Sequence, residues 1–217
     1  MTTKFSTLTQ KQLNRPRRFF QWICANICVL GWAKLHRPVT IEGRENVPKD
    51  KQFIVVANHL SGADPFLIAS AVNVPVAFMA KKQLFETFWS MVLMNWCAAF
   101  AVDREKPDIS TMKTAIGITK TKNWHLAMFP QGTRCTNGKL ENLSEGFAVI
   151  AQKTKTDILP VSIVGANIND AHLVMKIGKI IPYSDNIEET IDTWANTICE
   201  MTGFEYIKTE KKEKVLS

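Results

Sequence analysis

Apolar and polar positions along the chain follow two periods. Phe53-Ile54-Val55-Val56-Ala57 is an unbroken apolar run rich in β-branched residues, which predicts a strand buried on both faces. It ends at Asn58-His59. Asp64-Pro65 then predicts a helix start, because aspartate caps free N–H groups and proline suits the first helical position. Phe66, Leu67, Ile68 and Ala71 continue that helix. The rhythm recurs with a strand over 74–80, a helix over 84–95 and a strand over 98–102. Asp108 is placed to cap a helix whose Ile109, Met112, Ile116 and Thr119 share one face. A strand over 125–129 leads into the polar turn PQGTRCTNGK and a helix over 144–153. Strands over 158–164 and 173–181 follow. The last helix shows a capping box, Asp185 with Glu188, and a stripe of Ile187, Ile191, Trp194, Ile198 and Met201.

Strands separated by helices of this length predict an α/β fold, a mostly parallel central sheet flanked by helices. Chemistry in such sheets gathers in the loops beyond the strand ends.

Ahead of this alternation stands a different pattern. The basic cluster Arg15-Pro16-Arg17-Arg18 precedes a largely apolar stretch over 19–35, which carries Trp22, Trp32 and Lys34 and is interrupted by Gln21 and Asn26. At about 17 residues it falls short of the ~20 that a membrane span needs. A helix lying on a membrane surface, an ordinary core helix and a span all remain open. The basic cluster favours the first, since each Lys or Arg near an anionic leaflet contributes about 1 kcal/mol. No small-residue cleavage site follows, as a secretory signal would require. The chain divides into an N-terminal membrane-associating helical segment over 1–40, an α/β domain over 41–205 and a charged, solvated tail over 206–217.

The 217 residues, 46% of them hydrophobic, suffice for one buried core. A net charge of +7 calls for an anionic partner, whether phosphate substrate, membrane or nucleic acid. The basic residues are scattered and no stacking-aromatic motif accompanies them, which argues against nucleic acid. The five cysteines form no CxxC pair and read as reduced packing thiols. His36, His125 and His172 have no acidic or cysteine neighbours at ligand spacing, so no metal site is expected. There is no GxSxG elbow and no glycine-rich nucleotide loop.

The predicted loops hold the remaining polar residues. His59 directly follows a buried strand, and Asp64 lies where a folded-back loop would bring its carboxylate to one imidazole nitrogen, leaving the other to accept a hydroxyl proton. By spacing alone the two residues read more readily as a turn histidine and a helix cap. Asp103-Arg104 ends another strand, and FPQGTR supplies Gly132 for close backbone approach and Arg134 as a guanidinium fork for phosphate. Lys81 and Lys82 follow a third strand and are candidates for the same rim, or a solvated pair.

These blocks resemble the glycerolipid acyltransferase family, especially its PlsC-type 1-acylglycerol-3-phosphate acyltransferases. NHLSGAD matches that family's NHxxxxD, AAFAVDR its block ending in aspartate-arginine, FPQGTR its FPEGTR, and ILPVSI its proline-containing strand. The resemblance implies that His59 deprotonates the acceptor hydroxyl, that Asp64 orients His59, and that the oxygen attacks a thioester without an acyl-enzyme. It further implies that Arg104 and Arg134 bind the acceptor phosphate, helped by Gln131, Gly132, Thr133 and Lys82, and that Asn58 and Pro160 support the site. The implied acceptor is of the lysophosphatidate type and the donor acyl-CoA or acyl carrier protein, with no cofactor. The implied place is peripheral or monotopic, at the cytoplasmic face of the cell membrane.

Three residues depart from the family pattern. Gln131 stands where glutamate is usual, Cys135 where serine is usual, and Ala98 where glycine usually begins the second block. The glutamine motivates a second expectation, another lysolipid acceptor. A catalytically silent anionic-lipid-binding protein of the same fold is the third.

Overall fold

The computed structural model describes residues 5–35, 38–103, 109–135, 137–167 and 172–208. Its centre is strand β2 (Phe53–Ala57), whose five residues are all buried. Phe53, Val55 and Ala57 join the apolar cluster on one face of the sheet, and Ile54 and Val56 join the cluster on the other. That split is what the two-residue period of a strand produces when both faces are covered.

Seven strands form one sheet in the order β1-β8-β7-β2-β5-β3-β4. They are β1 (Val39–Glu42), β3 (Val76–Lys81), β4 (Ala99–Val102), β5 (His125–Met128), β7 (Asp157–Val164) and β8 (Leu173–Ile177), with β2 in the middle. Pairing is parallel throughout except between β7 and β8. A small parallel pair, β6 (Lys139–Leu140) with β9 (Glu205–Tyr206), stands apart. Helices α1 (Arg15–Leu35) and α2 (Asp64–Val72) cover one face through Ala25, Leu67, Ile68 and Ala71. Helices α4 (Ile109–Thr119), α5 (Gly146–Thr154) and α6 (Ile187–Thr202) cover the other through Ala115, Ile118, Phe147, Ile150, Trp194 and Ile198. The mostly parallel, helix-flanked sheet read from the sequence is the architecture found.

Several boundaries differ from the sequence reading, each for a local reason. The helix expected over 84–95 is a short 3-10 turn at Lys82–Phe85 followed by α3 (Phe88–Trp96), with β-branched Thr87 extended between them. The strand expected to reach Ile181 stops at Ile177. Gly178 follows, where an added Cβ would lie 2.9 Å from Pro160 Cγ, and only Ile181 pairs again, with Ile158. Helix α6 is capped by Asn186, whose side chain accepts from the Glu189 N–H at 3.2 Å, and not by Asp185. Asn and Asp cap equally well, and periodicity does not separate adjacent candidates. Asp64 likewise is not the cap of α2. It sits in the first turn behind Ala63, with its carboxylate turned back into the preceding loop. Asp108, the expected cap of α4, lies outside the described residues.

Helix α1 is clamped onto the domain by polar groups. Asn14 starts it by accepting from the Arg17 N–H. Gln21, which had read as an interruption, is buried. Its amide donates to the carbonyls of Val76 and Cys97 at 2.6 and 2.8 Å and accepts from the Val76 N–H at 3.0 Å. Arg17 donates to the Asn95 carbonyl and side-chain oxygen. The opposite face of α1 leaves Phe19, Trp22, Ile27 and Leu30 exposed. No helix among the described residues is long and apolar enough to cross a membrane.

Removing the Gln21 amide strands three backbone groups at the end of β3 and beside β4, each worth about 1 kcal/mol or more when left unsatisfied. Gln21→Ala is expected to lower stability by about 2–4 kcal/mol in urea unfolding. A loss below about 0.5 kcal/mol would mean that α1 is held by apolar packing alone.

Candidate active site

The loops that matter leave the carboxyl ends of adjacent parallel strands. Residues 58–64 follow β2, residues 129–135 follow β5, and the turn at Lys82 follows β3. This is where open α/β sheets place their ligands.

Asn58 fixes the first loop to the sheet. Its buried amide donates to the Ile163 carbonyl and accepts from the Ile163 N–H, both at 2.8 Å, so a side chain continues the ladder between β2 and β7 where the backbone turns away. The peptide of His59 is held on both sides. Its N–H donates to Gln131 Oε1 at 2.9 Å, and its carbonyl accepts from the Cys135 N–H at 2.8 Å. The two loops are thereby stitched together at the histidine.

The His59 ring then has little freedom. Nδ1 lies 2.7 Å from Asp64 Oδ2, and the ring stacks on Phe129 with centroids 4.3 Å apart. Asp64 Oδ2 also accepts from the Leu60 and Ser61 N–H groups at 2.6 and 2.8 Å. The Asp64 side chain is wholly buried while His59 is 16% exposed, so one edge of the imidazole faces outward. That edge opens into a groove of about 450 Å³. Thr133, Arg134 and Lys81 are among its polar lining, and Phe78, Met94 and Ala99 among its apolar lining.

Arg134 is exposed and has no carboxylate partner among the described residues. Its guanidinium lies 3.5 Å from where a Cβ on Gly62 would sit, which places it over the histidine loop. Gly132 has a φ of 67°, a left-handed conformation that permits the tight turn between Phe129 and Thr133. Buried Cys97 lines the same groove. Burial, and next to it the neighbouring Cys24, push its thiol well above the ordinary range, so it is held as a neutral thiol. His125 is elsewhere, stacked on Phe53, with its pKa pushed down to about 4 by burial.

The structure therefore brings His59, Asp64, Gly132, Thr133 and Arg134 together. Other expected site residues fall differently. The side chain of Gln131 is turned to backbone, receiving the His59 N–H and donating to the Lys139 carbonyl at 3.4 Å, so it braces the histidine loop where it had been expected to bind the acceptor. Lys82 is bound by Asp103 at 2.6 Å, and it is Lys81 that lines the groove. Pro160, by contrast, lies where a supporting residue was expected, within β7 and paired with Val56 of the strand that carries the histidine loop. Arg104 lies outside the described residues. Phe129 was missed as a contributor because nothing in an apolar strand end marks which ring will meet the histidine. No metal-holding group of His, Cys, Asp and Glu side chains occurs among the described residues.

Residues 38–164 match the sequence model of the acyltransferase family. The chain belongs to that family. Among relatives of this acyltransferase, 1-acyl-sn-glycerol-3-phosphate acyltransferase of Streptococcus pneumoniae is 30% identical, over 94% of this chain and 78% of that protein. The enzyme of the same name from Bacillus subtilis is 31% identical, over 58% of this chain and 63% of its own length. The crystal structure of the 1-acyl-sn-glycerophosphate (LPA) acyltransferase PlsC from Thermotoga maritima superimposes with a TM-score of 0.72 at 27% identity. That match covers 85% of this chain and 79% of the other. The acyltransferase model spans every loop described above.

Proposed function

We propose that this acyltransferase moves a fatty acyl group from a thioester, acyl coenzyme A or acyl carrier protein, to the free hydroxyl of 1-acylglycerol 3-phosphate, giving phosphatidate. The observation that carries the reading is the buried Asp64 carboxylate 2.7 Å from His59 Nδ1, with the ring's other edge at the mouth of an apolar groove. An Nδ1–H donating to Asp64 leaves Nε2 free to accept the acceptor's hydroxyl proton. The oxygen attacks the thioester carbon, the C–S bond breaks, and the thiolate departs and takes the proton from His59. With a reference thiol pKa of ~8.5, the leaving group needs little acid assistance. Two features support direct attack: the groove's cysteine is held protonated, and the His59 ring's hydrogen-bond partner among the described residues is Asp64, with no serine hydroxyl bonded to it.

Arg134 is the described cation suited to the acceptor phosphate, through two parallel N–H donors. Because Gln131 braces backbone, its replacement of a glutamate gives no ground for preferring a phosphate-free acceptor.

A lipid acceptor also requires access to a membrane, and the groove's surroundings fit one. Leu84 lines the groove and is exposed, and on α3 Phe88, Trp89 and Trp96 are exposed beside it. Phe20 joins this helix to α1 through a tilted ring contact with Trp96, centroids 5.6 Å apart, extending the patch to Phe19 and Trp22 and to the exposed Arg15 and Arg18. Aromatic side chains flanked by arginines suit an anionic leaflet, at the cytoplasmic face of the cell membrane.

With purified protein, His59→Ala is expected to lower phosphatidate formation by more than ~100-fold. Arg134→Ala is expected chiefly to raise the acceptor Michaelis constant. Equal turnover of wild type and His59→Ala would remove the histidine from the mechanism, and an unchanged acceptor constant in Arg134→Ala would remove the phosphate role. In sedimentation with anionic vesicles, Trp89→Ala is expected to reduce the bound fraction, and unaltered binding would mean that α3 stays off the membrane.

A further inference from the structure

A second cavity, of about 600 Å³, adjoins the catalytic loops. Met79 of β3, Met128 of β5, Met112 of α4 and Ile150 of α5 line it. These residues pack with the core cluster under α4, α5 and α6, whereas Phe78 and Phe129 of the groove pack with the opposite cluster, under α1 and α2. The two cavities thus approach the same strand ends from opposite faces of the sheet. They meet at Met79, Phe129 and Gly132, which belong to both walls. Phe129 is also the ring stacked on His59, so an aliphatic chain leaving either cavity emerges beside the histidine. Gly132, with its left-handed φ and no side chain, leaves the ridge between them low.

The proposed reaction needs two such spaces. It brings two aliphatic chains to one base: the acyl group of the thioester and the chain that the acceptor glycerol already carries. The groove has the volume of a single ligand pocket, and Gln21, whose amide is engaged by backbone, is part of its lining. A mostly apolar slot that reaches His59 suits the acyl group whose carbonyl carbon must stop there. Methionine walls, unbranched and polarizable, adapt to chains of varied shape.

We propose that this second cavity holds the acceptor's own aliphatic chain. With the acceptor phosphate on Arg134 and its free hydroxyl at His59, the chain crosses Gly132 and lies between β5, α4 and α5. The inference rests on the acyl-transfer reading above and assigns each substrate's chain to a separate face of the sheet.

The test compares wild type, Met112→Trp, which fills the second cavity, and Met94→Trp, which narrows the groove. For each enzyme, kcat/KM is measured for long- and short-chain 1-acylglycerol 3-phosphates with one donor, then for long- and short-chain donors with one acceptor. Each ratio is internal to one preparation, so protein that fails to fold cancels from it. Every methylene kept out of an apolar cavity costs about a factor of four. Met112→Trp is therefore expected to lower the long-to-short acceptor ratio by about tenfold or more while leaving the donor ratio in place, and Met94→Trp to do the reverse. Met112→Ala should not lower the acceptor ratio. A donor ratio that falls in Met112→Trp, or an acceptor ratio that none of the variants moves, overturns the inference while the reaction stands. A wild type that makes no phosphatidate from this acceptor defeats the reaction reading and the inference together.

Discussion

The Asp64 carboxylate is wholly buried, and much of the site follows from satisfying it. A charge taken out of water must recover its lost solvation from hydrogen bonds. Oδ2 recovers it from the His59 imidazole and from two consecutive N–H groups of the loop, while Oδ1 has no hydrogen-bond partner among the described residues. Charge-assisted bonds of this kind are short and strong, and here they require the loop to curl around the carboxylate. One anion thus sets the loop's curvature, the start of α2 and the orientation of the histidine.

The rest of the site keeps that arrangement in register with the sheet. Asn58 ties the loop to β7, while Gln131 and the Cys135 N–H tie the His59 peptide to the loop after β5. His59 is consequently carried by the loops of two strands, and Arg134 belongs to the second of them. Gln131 shows how a departure from the family pattern is absorbed. An amide both accepts from His59 and donates to the Lys139 carbonyl, a pairing that a carboxylate has no proton to complete.

Much of this was legible in the amino-acid sequence because the signals were local. The run FIVVA declared a two-faced strand, the stripe of the last helix declared its buried side, and NHLSGAD placed a carboxylate within a loop's reach of a histidine. Helix α4, by contrast, leaves Ile109 of its expected stripe exposed and buries Thr111, Thr114, Ala115 and Ile118. What stayed hidden depends on partners distant in the chain. Gln21 looked like a flaw in an apolar helix because its three backbone partners lie on β3 and ahead of β4. Gln131 and Lys82 looked like substrate ligands until the structure gave them Lys139, His59 and Asp103. The choice of Asn186 over Asp185 as a cap is set by a single residue of phase, finer than any periodicity.

The central claim is that Asp64 holds His59 with its proton on Nδ1 and its lone pair on Nε2. Long-range nitrogen–proton correlation spectra of the ring nitrogens, on protein labelled at histidine and at a pH where His59 is neutral, test it most directly. The account predicts a protonated Nδ1 and a bare Nε2 for His59 in the wild type, and loss of that single tautomer in Asp64→Ala. A proton found on Nε2 in the wild type would contradict it, since the ring edge facing the groove would then have nothing with which to accept the hydroxyl proton.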